Sequence, residues 1–417
     1  MDDIVRVFGR IGLLSFGGPA AQIALMHKEL VETRDWMTED EFLRALSFCM
    51  LLPGPEAMQL ATYAGWKRQG VMGGLIAGGL FVLPGALVIM ALALAYGTYG
   101  SLPAVQAAFL GIKACVVVIV IAALIKISKR ALQRRSHIYF AIGAFIALFA
   151  FAAPFPLVVL VCGVVGAAMT TPTPHQTAIK PVDFQGTLRT LIVGGVLWAL
   201  PIAVVGYVDQ SFLLALGIFF SKLAVVTFGG AYAVLAYMTQ QVVVDHQWLT
   251  TAQMMDALGL AETTPGPLIL VTQFVGMLAG MAKGGAGLAI LAGLLTLWVT
   301  FVPCFIWIFA GAPLIEQLDR WPRLRGALAG ITAAVVGVIA NLSLWFAVHV
   351  FFSKTGVVDW GPLHIVWPSV LTLQPLAVCL AVLSGVLLLR YKWALGYVLF
   401  ASAGTSLMIY AAGAAIA

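Results

Sequence analysis

The sequence predicts an all-α, polytopic membrane protein built from two related halves of opposite orientation, and three observations predict it. Of 417 residues, 62% are hydrophobic and 10% charged, where a soluble protein carries about a quarter charged. Apolar stretches of about 20 residues, long enough to cross a hydrocarbon core of roughly 30 Å, recur along almost the whole chain. One set of motifs also occurs twice at a fixed spacing. The formal charge of +6 does not point to nucleic acid, because the basic residues sit in short clusters between apolar segments, as the positive-inside rule predicts.

The repeat is explicit. Ser15-Phe16-Gly17-Gly18 returns as Thr227-Phe228-Gly229-Gly230, Trp36 as Trp248, Thr38 as Thr250, and Pro53-Gly54-Pro55 as Pro265-Gly266-Pro267. Each pair is 212 residues apart (228 − 16 = 248 − 36 = 265 − 53 = 212). Arg10 matches Lys222 at the same offset, so a cation precedes each Phe-Gly-Gly turn by six residues. Gly111-Ile112 matches Gly330-Ile331 at 219 (330 − 111), an insertion of seven residues (219 − 212) in the second half. The chain thus divides into three blocks: residues 1–170 as the first transmembrane repeat, 171–210 as a linker plus an inverting helix, and 211–417 as the second repeat in the opposite orientation.

The amino-terminal stretch Met1 to Phe16 has acids at Asp2 and Asp3 and no basic leader with a small-residue cleavage site, so the first apolar segment is expected to stay. The acidic loop Lys28 to Glu41 carries Trp36, an interfacial anchor. Lys67 and Arg68 are expected inside, Val71 to Tyr96 crosses out, and Ala104 to Ile125 returns to the basic run Lys126, Lys129, Arg130, Arg134 and Arg135. Tyr139 to Ala152 and Pro156 to Met169 form a hairpin leading to the linker Thr170 to Arg189. Leu191 to Val208 then crosses outward and inverts the remainder of the chain. Gly285 to Ala310 runs inward and Gly326 to Val348 outward, the latter preceded by Arg320, Arg323 and Arg325. Trp367 to Leu389 runs inward to Arg390 and Lys392, and Ala394 to Ala412 outward. Inverted repeats of this kind recur in secondary transporters, with the binding site near the midplane.

Chemistry is expected at the interrupted segments. Phe16-Gly17-Gly18-Pro19 breaks the first, Pro53-Gly54-Pro55 the second, and residues 228–230 and 265–267 repeat both breaks. A break at membrane depth frees backbone groups that survive only in protein or a water-lined cavity. It also aims helix amino termini, with partial positive charge, at whatever fills the gap. The competing reading is a set of tight turns near the interface. The charged candidates are Arg10, Lys222, Arg44, Lys113, Glu56 and Glu262, since an intramembrane charge costs at least about 2.5 to 3.5 kcal/mol unless it faces a cavity or partner. Arg10 and Lys222 are the leading anion ligands, with Ser15, Thr227 and the amides of Gly17, Gly18, Gly229 and Gly230. Snorkelling to headgroups is their alternative role. Lys113 is nearly central in its span and could pair with Glu56 or Glu262, which are also candidate proton carriers. Gln22, Gln59 and Gln273 could donate to an oxyanion. Gly70, Gly74 and Gly78, and Gly276, Gly280 and Gly284, read as packing ridges. All five cysteines lie in apolar segments without Cys-x-x-Cys spacing and read as buried free thiols, and the histidines mostly fall in or near loops, so no metal or cofactor is implied.

At these residues the sequence resembles the chromate transporter family, in its long two-domain form. The likeness rests on Ser-Phe-Gly-Gly-Pro-Ala-Ala-Gln-Ile at 15–23, Leu-Leu-Pro-Gly-Pro at 51–55 with Gln59-Leu60-Ala61, Phe-Val-Leu-Pro-Gly at 81–85, and the later Thr-Phe-Gly-Gly-Ala-Tyr and Thr-Pro-Gly-Pro. It implies export of chromate across the bacterial inner membrane, with resistance as the result and sulfate as competitor. Two departures make the halves unequal: Ala231 stands where the first half has Pro19, and Leu268 where it has Glu56. The residues themselves agree on energetics. No ATP-binding Gly-x-x-x-x-Gly-Lys-[Ser/Thr] loop is present, and moving a dianion out of a negative interior gains about 4.6 kcal/mol per 100 mV, twice the value for a unit charge. A transporter of the same fold for sulfate is the alternative, and a membrane-bound chromate-reducing redox protein the rival of another class. The latter lacks a cofactor signature, so no enzyme is expected. Whether two copies form a homodimer stays open.

Overall fold

The computed structural model describes residues 1–16, 18–170, 184–226, 228, 231–313, 321–361 and 363–416. The first half contributes α1 (Asp2–Leu14), α2 (Gly18–His27), α3 (Glu39–Leu51), α4 (Glu56–Tyr99), α5 (Pro103–Ala131), α6 (Arg135–Phe151) and α7 (Phe155–Ala168). After α8 (Phe184–Tyr207), the second half contributes α9 (Ser211–Val226), α10 (Ala231–Gln240), α11 (Thr251–Thr263), α12 (Val271–Gly311) and α13 (Pro322–Phe351). The strands β1 (Thr355–Trp360) and β2 (Leu363–Pro368) come next, then α14 (Pro375–Gly385) and α15 (Leu395–Ile416). Among the described residues six helical stretches are long and apolar enough to cross a membrane: Glu56–Tyr99, Pro103–Ala131, Gln185–Tyr207, Leu268–Gly311, Pro322–Phe351 and Leu395–Gly413. The protein is an all-α, multi-pass membrane protein. Two compact units divide it, Met1–Gly97 with Pro172–Val234 and Thr264–Pro322, and Thr98–Thr171 with Leu235–Thr263 and Arg323–Ala417. Each unit draws on both halves of the repeat.

The repeated residues make repeated backbone geometry. Thr38 caps α3 with its hydroxyl on the Glu41 N–H (3.3 Å), while the Glu41 carboxylate accepts the Thr38 N–H (2.9 Å). Thr250 and Gln253 repeat this capping box at 3.2 and 2.9 Å, satisfying donors that a helix start leaves open. The Trp36 N–H donates to Leu30 O and the Trp248 N–H to Val242 O. Left-handed residues precede both tryptophans, Asp35 at φ 48° and Gln247 at φ 51°.

α4 and α12 are each a pair of helices that turn back without a loop. α4 reverses at Gln69 and Gly70 (φ 62°), α12 at Gly284 and Gly285 (φ 73°), an offset of 215 (285 − 70) that divides the insertion. A positive φ of this kind suits glycine. The arms pack so closely that a Cβ on Gly65 would lie 2.3 Å from Gly73 O, and one on Gly280 2.8 Å from Leu288 O. The Gly74–Gly78 and Gly276–Gly280 ridges thus serve mainly contacts inside their own unit, with Thr62, Phe305 and Phe309, and with Thr296 and Leu288.

In the first unit, α3 and the first arm of α4 form a hairpin about Pro53-Gly54-Pro55 with both ends at one level. Glu41, at the start of α3, meets Lys67, at the end of that arm, at 2.6 Å, and Arg68 lies over the Trp36 ring at 5.2 Å. α3 has 13 residues, about 20 Å of helix, too short for a hydrocarbon core of roughly 30 Å. The Pro-Gly-Pro turn is therefore the tip of a re-entrant hairpin. α1 and α2 fold likewise about the Phe-Gly-Gly turn, with Arg10 on Glu29 (3.4 Å) and Phe8 against Trp36.

Proline frees the carbonyl four residues earlier in a helix, and in lipid that carbonyl needs a donor. Pro201 in α8 frees Leu197 O, which accepts the Trp298 indole N–H at 3.0 Å. Pro303 in α12 frees Val299 O, which accepts the Trp198 indole N–H at 3.0 Å. The two helices are locked by reciprocal bonds, each tryptophan serving the other helix's proline.

Three sequence expectations are corrected. The span placed at Trp367 to Leu389 begins at Pro375, because Thr355–Trp360 and Leu363–Pro368 pair as an antiparallel β-hairpin. Its register sets Val358 against Ile365 and Trp360 against Leu363, an apolar face, while Asp359 opposes His364, an alternation of period two that a hydropathy window averages away. The linker is shorter than expected, since α8 starts at Phe184; residues 171–183 lie outside the described residues. Cys379 is exposed, whereas Cys49, Cys115, Cys162 and Cys304 are buried.

These contacts can be tested in two places. Trp298→Phe should destabilise the detergent-purified protein by about 1 kcal/mol, read as a lower melting temperature. The loss should shrink in a Pro201→Ala background, where Leu197 O regains a backbone donor; an undiminished loss would assign the effect to packing. The second place is the surface ends of the hairpins. His27 holds Glu32 through Nδ1 (3.1 Å) and Glu39 through Nε2 (2.7 Å), which needs both ring nitrogens as donors and hence the imidazolium. The Glu39 hydrogen bond, then its charge and those from Glu32, raise its pKa from 6.5 against a smaller desolvation effect. That stabilisation is full below the ordinary value and lost as pH rises through the raised one. Glu41 is pushed down to about 2, by the Lys67 hydrogen bond first and the Thr38 N–H second, so its contribution holds above the ordinary carboxylate value and is lost as pH falls through about 2. Amide exchange over residues 28–41, corrected for intrinsic rate, should accelerate from neutral to alkaline pH in the wild type and show no such step in His27→Ala.

Candidate functional site: crossed re-entrant loops

In the first unit, the turn after α1 and the Pro-Gly-Pro turn of the second half grip each other. Phe16 N–H turns back onto Leu14 O at 2.9 Å, and Gly18 (φ 75°) opens α2. The Ser15 hydroxyl is spent on Ile11 O (2.5 Å), so it is the Ser15 carbonyl that meets the neighbouring turn. It accepts the Gly266 N–H at 2.9 Å and the Gln22 amide at 3.3 Å. Gln22 Nε2 also donates to Gly266 O at 2.7 Å. Pro265 and Pro267 have no N–H, so Gly266 supplies the one backbone donor of its triplet, and its φ of 88° favours glycine.

Each Pro-Gly-Pro turn also rests on the proline kink of the other half. Pro84 and Pro303 are equivalent by the 219 offset (303 − 84). A Cβ on Gly85, beside Pro84, would strike Pro265 O at 2.3 Å, while one on Gly54 would strike Sγ of Cys304, beside Pro303, at 2.8 Å. The 265–267 turn thus packs on α4, and the 53–55 turn on α12. Gln273 Nε2 fastens α12 to Ala86 O at 3.1 Å, and Gln59 Nε2 closes its own turn on Pro53 O at 2.7 Å. The crossing is not symmetric: Cys304 stands where the first half has Gly85 (304 − 85 = 219), so a thiol fills space beside Gly54 that the other turn leaves to backbone.

The polar groups here are neutral and buried. Gln22 is 1% exposed, and Gln59 and Gln273 are 0%. Their amide oxygens, with Thr300 Oγ1, have no hydrogen-bond partner among the described residues, and each primary amide carries a second N–H. A narrow cleft lined by Gly54, Pro55, Leu223, Ala224, Ile269 and Thr300 lies beside the first Pro-Gly-Pro turn. Glu56 is half-buried at the start of α4. Such a set can hold a polar guest through amides and helix starts without a fixed countercharge.

The sequence candidates separate. Ser15, Gly18, Gln22, Pro265, Gly266 and Pro267 come together at one joint, while Pro53, Gly54, Pro55 and Gln59 form the other turn, against Cys304. Arg10 lies on Glu29, which Arg34 also contacts at 3.6 Å, and Lys222 is exposed on α9 next to Leu223 of the cleft. Gly17, Thr227, Gly229 and Gly230 lie outside the described residues. In the second unit Lys113 has a partner that the sequence reading did not name. Its ammonium is 2.8 Å from Asp256, a carboxylate that sequence reasoning passed over because one acid in Met-Met-Asp-Ala-Leu looks like a solvated helix face. Its repeat position is Arg44 (256 − 212), which is exposed; a search for buried charge differing between the halves would have found it. Glu262 is buried on the same helix as Asp256. Among the described residues no cluster of metal-ligating side chains forms.

Known proteins match this framework in both halves. The chromate transporter family model matches residues 3–167 and 214–408, two stretches that coincide with the two halves of the repeat. A chromate transport protein of Cupriavidus metallidurans is 30% identical over 357 residues, 85% of this chain and 83% of that protein. A probable chromate transport protein of Synechococcus elongatus is 30% identical over 345 residues, 82% of this chain and 83% of its own length. A chromate transport protein of Pseudomonas aeruginosa is 32% identical over 346 residues, 81% and 79%. No solved structure matches the chain. With both halves matched by one model and relatives aligned over most of their length, the chain belongs to the chromate transporter family.

Proposed function

We propose that this protein is a secondary transporter that exports chromate from the bacterial cytoplasm across the inner membrane and so confers chromate resistance. The observation that carries this reading is the crossing of the two Pro-Gly-Pro turns on each other's proline kinks, in a chain of this family. Two loops at membrane depth, each seated on the other half, form a natural rocking point for alternating access between inverted halves. The oxyanion binds at the crossed turns through Gln22, Gln59 and Gln273 and the helix starts at Gly18 and Pro55, and Gly17, Thr227, Gly229 and Gly230 are its further ligands. Lys222, beside the cleft, and Arg10, behind Glu29, draw the anion in. The membrane potential drives export of net negative charge. The protein acts as a carrier and transforms nothing.

Chromate uptake into inside-out vesicles under an imposed potential tests this. At matched protein levels, Gln22→Leu and Gly266→Ala should each lower the maximal rate at least about tenfold, roughly the 1.4 kcal/mol of one lost buried hydrogen bond or a strained positive φ. Lys222→Ala should chiefly raise the concentration for half-maximal uptake. Sulfate uptake without chromate uptake would reassign the substrate, and uptake of neither would sink the transport reading.

A further inference from the structure

In the second unit, the Lys113–Asp256 pair is buried in a way the proposed anion path leaves unexplained. Nζ and Oδ1 are 2.8 Å apart, with Lys113 8% and Asp256 0% exposed. Lys113 is the eleventh residue of α5 (113 − 103 + 1), about 15 Å along the helix and so near the middle of a hydrocarbon core of roughly 30 Å. Ionisable residues at that depth mark ion pathways and relays. A mere clamp between α5 and α11 is a weak explanation. Those helices already pack closely, Ile112 Cγ2 lying 2.5 Å from where a Cβ of Gly259 would stand, and a buried ion pair adds little stability over apolar packing. The duplication does not require it either, for the repeat positions are Arg44 (256 − 212) and Thr332 (113 + 219), which carry no equivalent pair.

We propose that Asp256 is the internal countercharge of an oxyanion-binding Lys113, and that the anion displaces it only as Asp256 takes up a proton. This rests on the reading of the protein as an oxyanion carrier. A dianion that pairs with Lys113 would leave the Asp256 carboxylate buried beside a second negative charge, an arrangement too costly to persist. One proton, taken from the side the anion enters, neutralises Asp256; the Lys113–Asp256 bond breaks, and the ammonium donates to an anion oxygen. On the far side the anion leaves, Asp256 gives up the proton there, and the pair re-forms. One dianion and one proton move together, a single negative charge per cycle. The elements packed against the pair are α5, α11, α14 and α15. Their other buried titratable groups are Cys115 and Glu262, while Cys379, Tyr397 and Tyr410 are exposed and Lys126, Lys129 and Arg130 sit exposed toward the end of α5.

The test measures charge and anion together in proteoliposomes of the full chain, by current on a supported membrane and by labelled chromate uptake, at alkaline pH where chromate is the dianion. The wild type should move about one negative charge per anion, and Asp256→Asn, whose amide stands in for the protonated acid, about two. Asp256→Glu, which keeps the acid, should stay near one; a clamp of purely structural kind would not move this ratio in any variant. A wild-type ratio of two, unchanged in Asp256→Asn, would overturn the proton-linked exchange and leave transport standing. If Asp256→Asn fails to accumulate, the wild-type and Asp256→Glu ratios decide the matter alone. No uptake by the wild type would instead fail the carrier reading itself.

Discussion

A chain in lipid has no water to satisfy a backbone group that leaves the helix ladder, and the arrangement of this protein depends on how its breaks meet that demand. Every break made by Pro or Gly strands a carbonyl or an N–H. Leu197 O and Val299 O, released by Pro201 and Pro303, are taken by indole N–H groups from across the helix pair. Ser15 O and the Gly266 N–H, both at turns, are joined to each other, with Gln22 closing the pair. Donors and acceptors freed in one element are thus spent on another, and the breaks become joints.

The same constraint explains where side chains are missing. A joint between backbones needs close approach, so glycine stands at Gly85 against Pro265 and at Gly12 against Leu80 O, the carbonyl that Pro84 releases; a Cβ at Gly12 would lie 2.2 Å from that oxygen. Apart from Glu56 at the start of α4, what remains at the crossing is a neutral surface of amides, backbone and small residues. A neutral surface suits a site that must release its guest. An ammonium with no internal countercharge to compete for it would hold a dianion tightly in low dielectric, whereas amides and helix starts supply partial charge, enough to replace hydration without trapping the ion.

Much of this was legible in the sequence, because duplication makes a weak signal countable. Thr38 and Trp36 are unremarkable alone, yet their return at 212 marked a capping box and a turn that the structure builds twice. The apolar spans were legible from length. Less so was anything that depends on which residue lies opposite which. Trp198 and Trp298 read as ordinary apolar residues, since the prolines they serve lie in another helix. The β-hairpin was hidden inside an apolar stretch, and the Asp256 partner of Lys113 lies 143 positions away (256 − 113) with no periodicity linking them. The turn-backs of α4 and α12 were legible only as span boundaries: the crossings expected from Val71 and from Gly285 start at the Gln69-Gly70 and Gly284-Gly285 reversals, although nothing in the hydropathy showed that the arms pack on each other.

Where the halves differ is as informative as where they agree. The first half ends its hairpins in charge, with His27, Glu29, Glu32, Glu39 and Glu41; at the 212 offset the second half has Thr239, Gln241, Val244, Thr251 and Gln253, all neutral. The ion pairs of Arg10, Arg34 and Lys67 therefore hold one set of hairpin ends, and the carboxylates that make them, Glu29 and Glu41, are replaced by Gln241 and Gln253 in the other. If the halves are inverted, as the proposed carrier requires, exchanging their conformations exchanges the side that is open. Perfect symmetry would make those two states equal in energy, and unequal contacts must bias the resting one. Surface pairs are each worth little, but a bias of about 1.4 kcal/mol is already a tenfold preference at rest. On the proposed reading the direction of net movement still belongs to the potential, which acts on the charge carried; the asymmetry decides only where the carrier waits. Sequence departures from the repeat are thus where a duplicated scaffold, otherwise indifferent to the two sides of the membrane, acquires a facing.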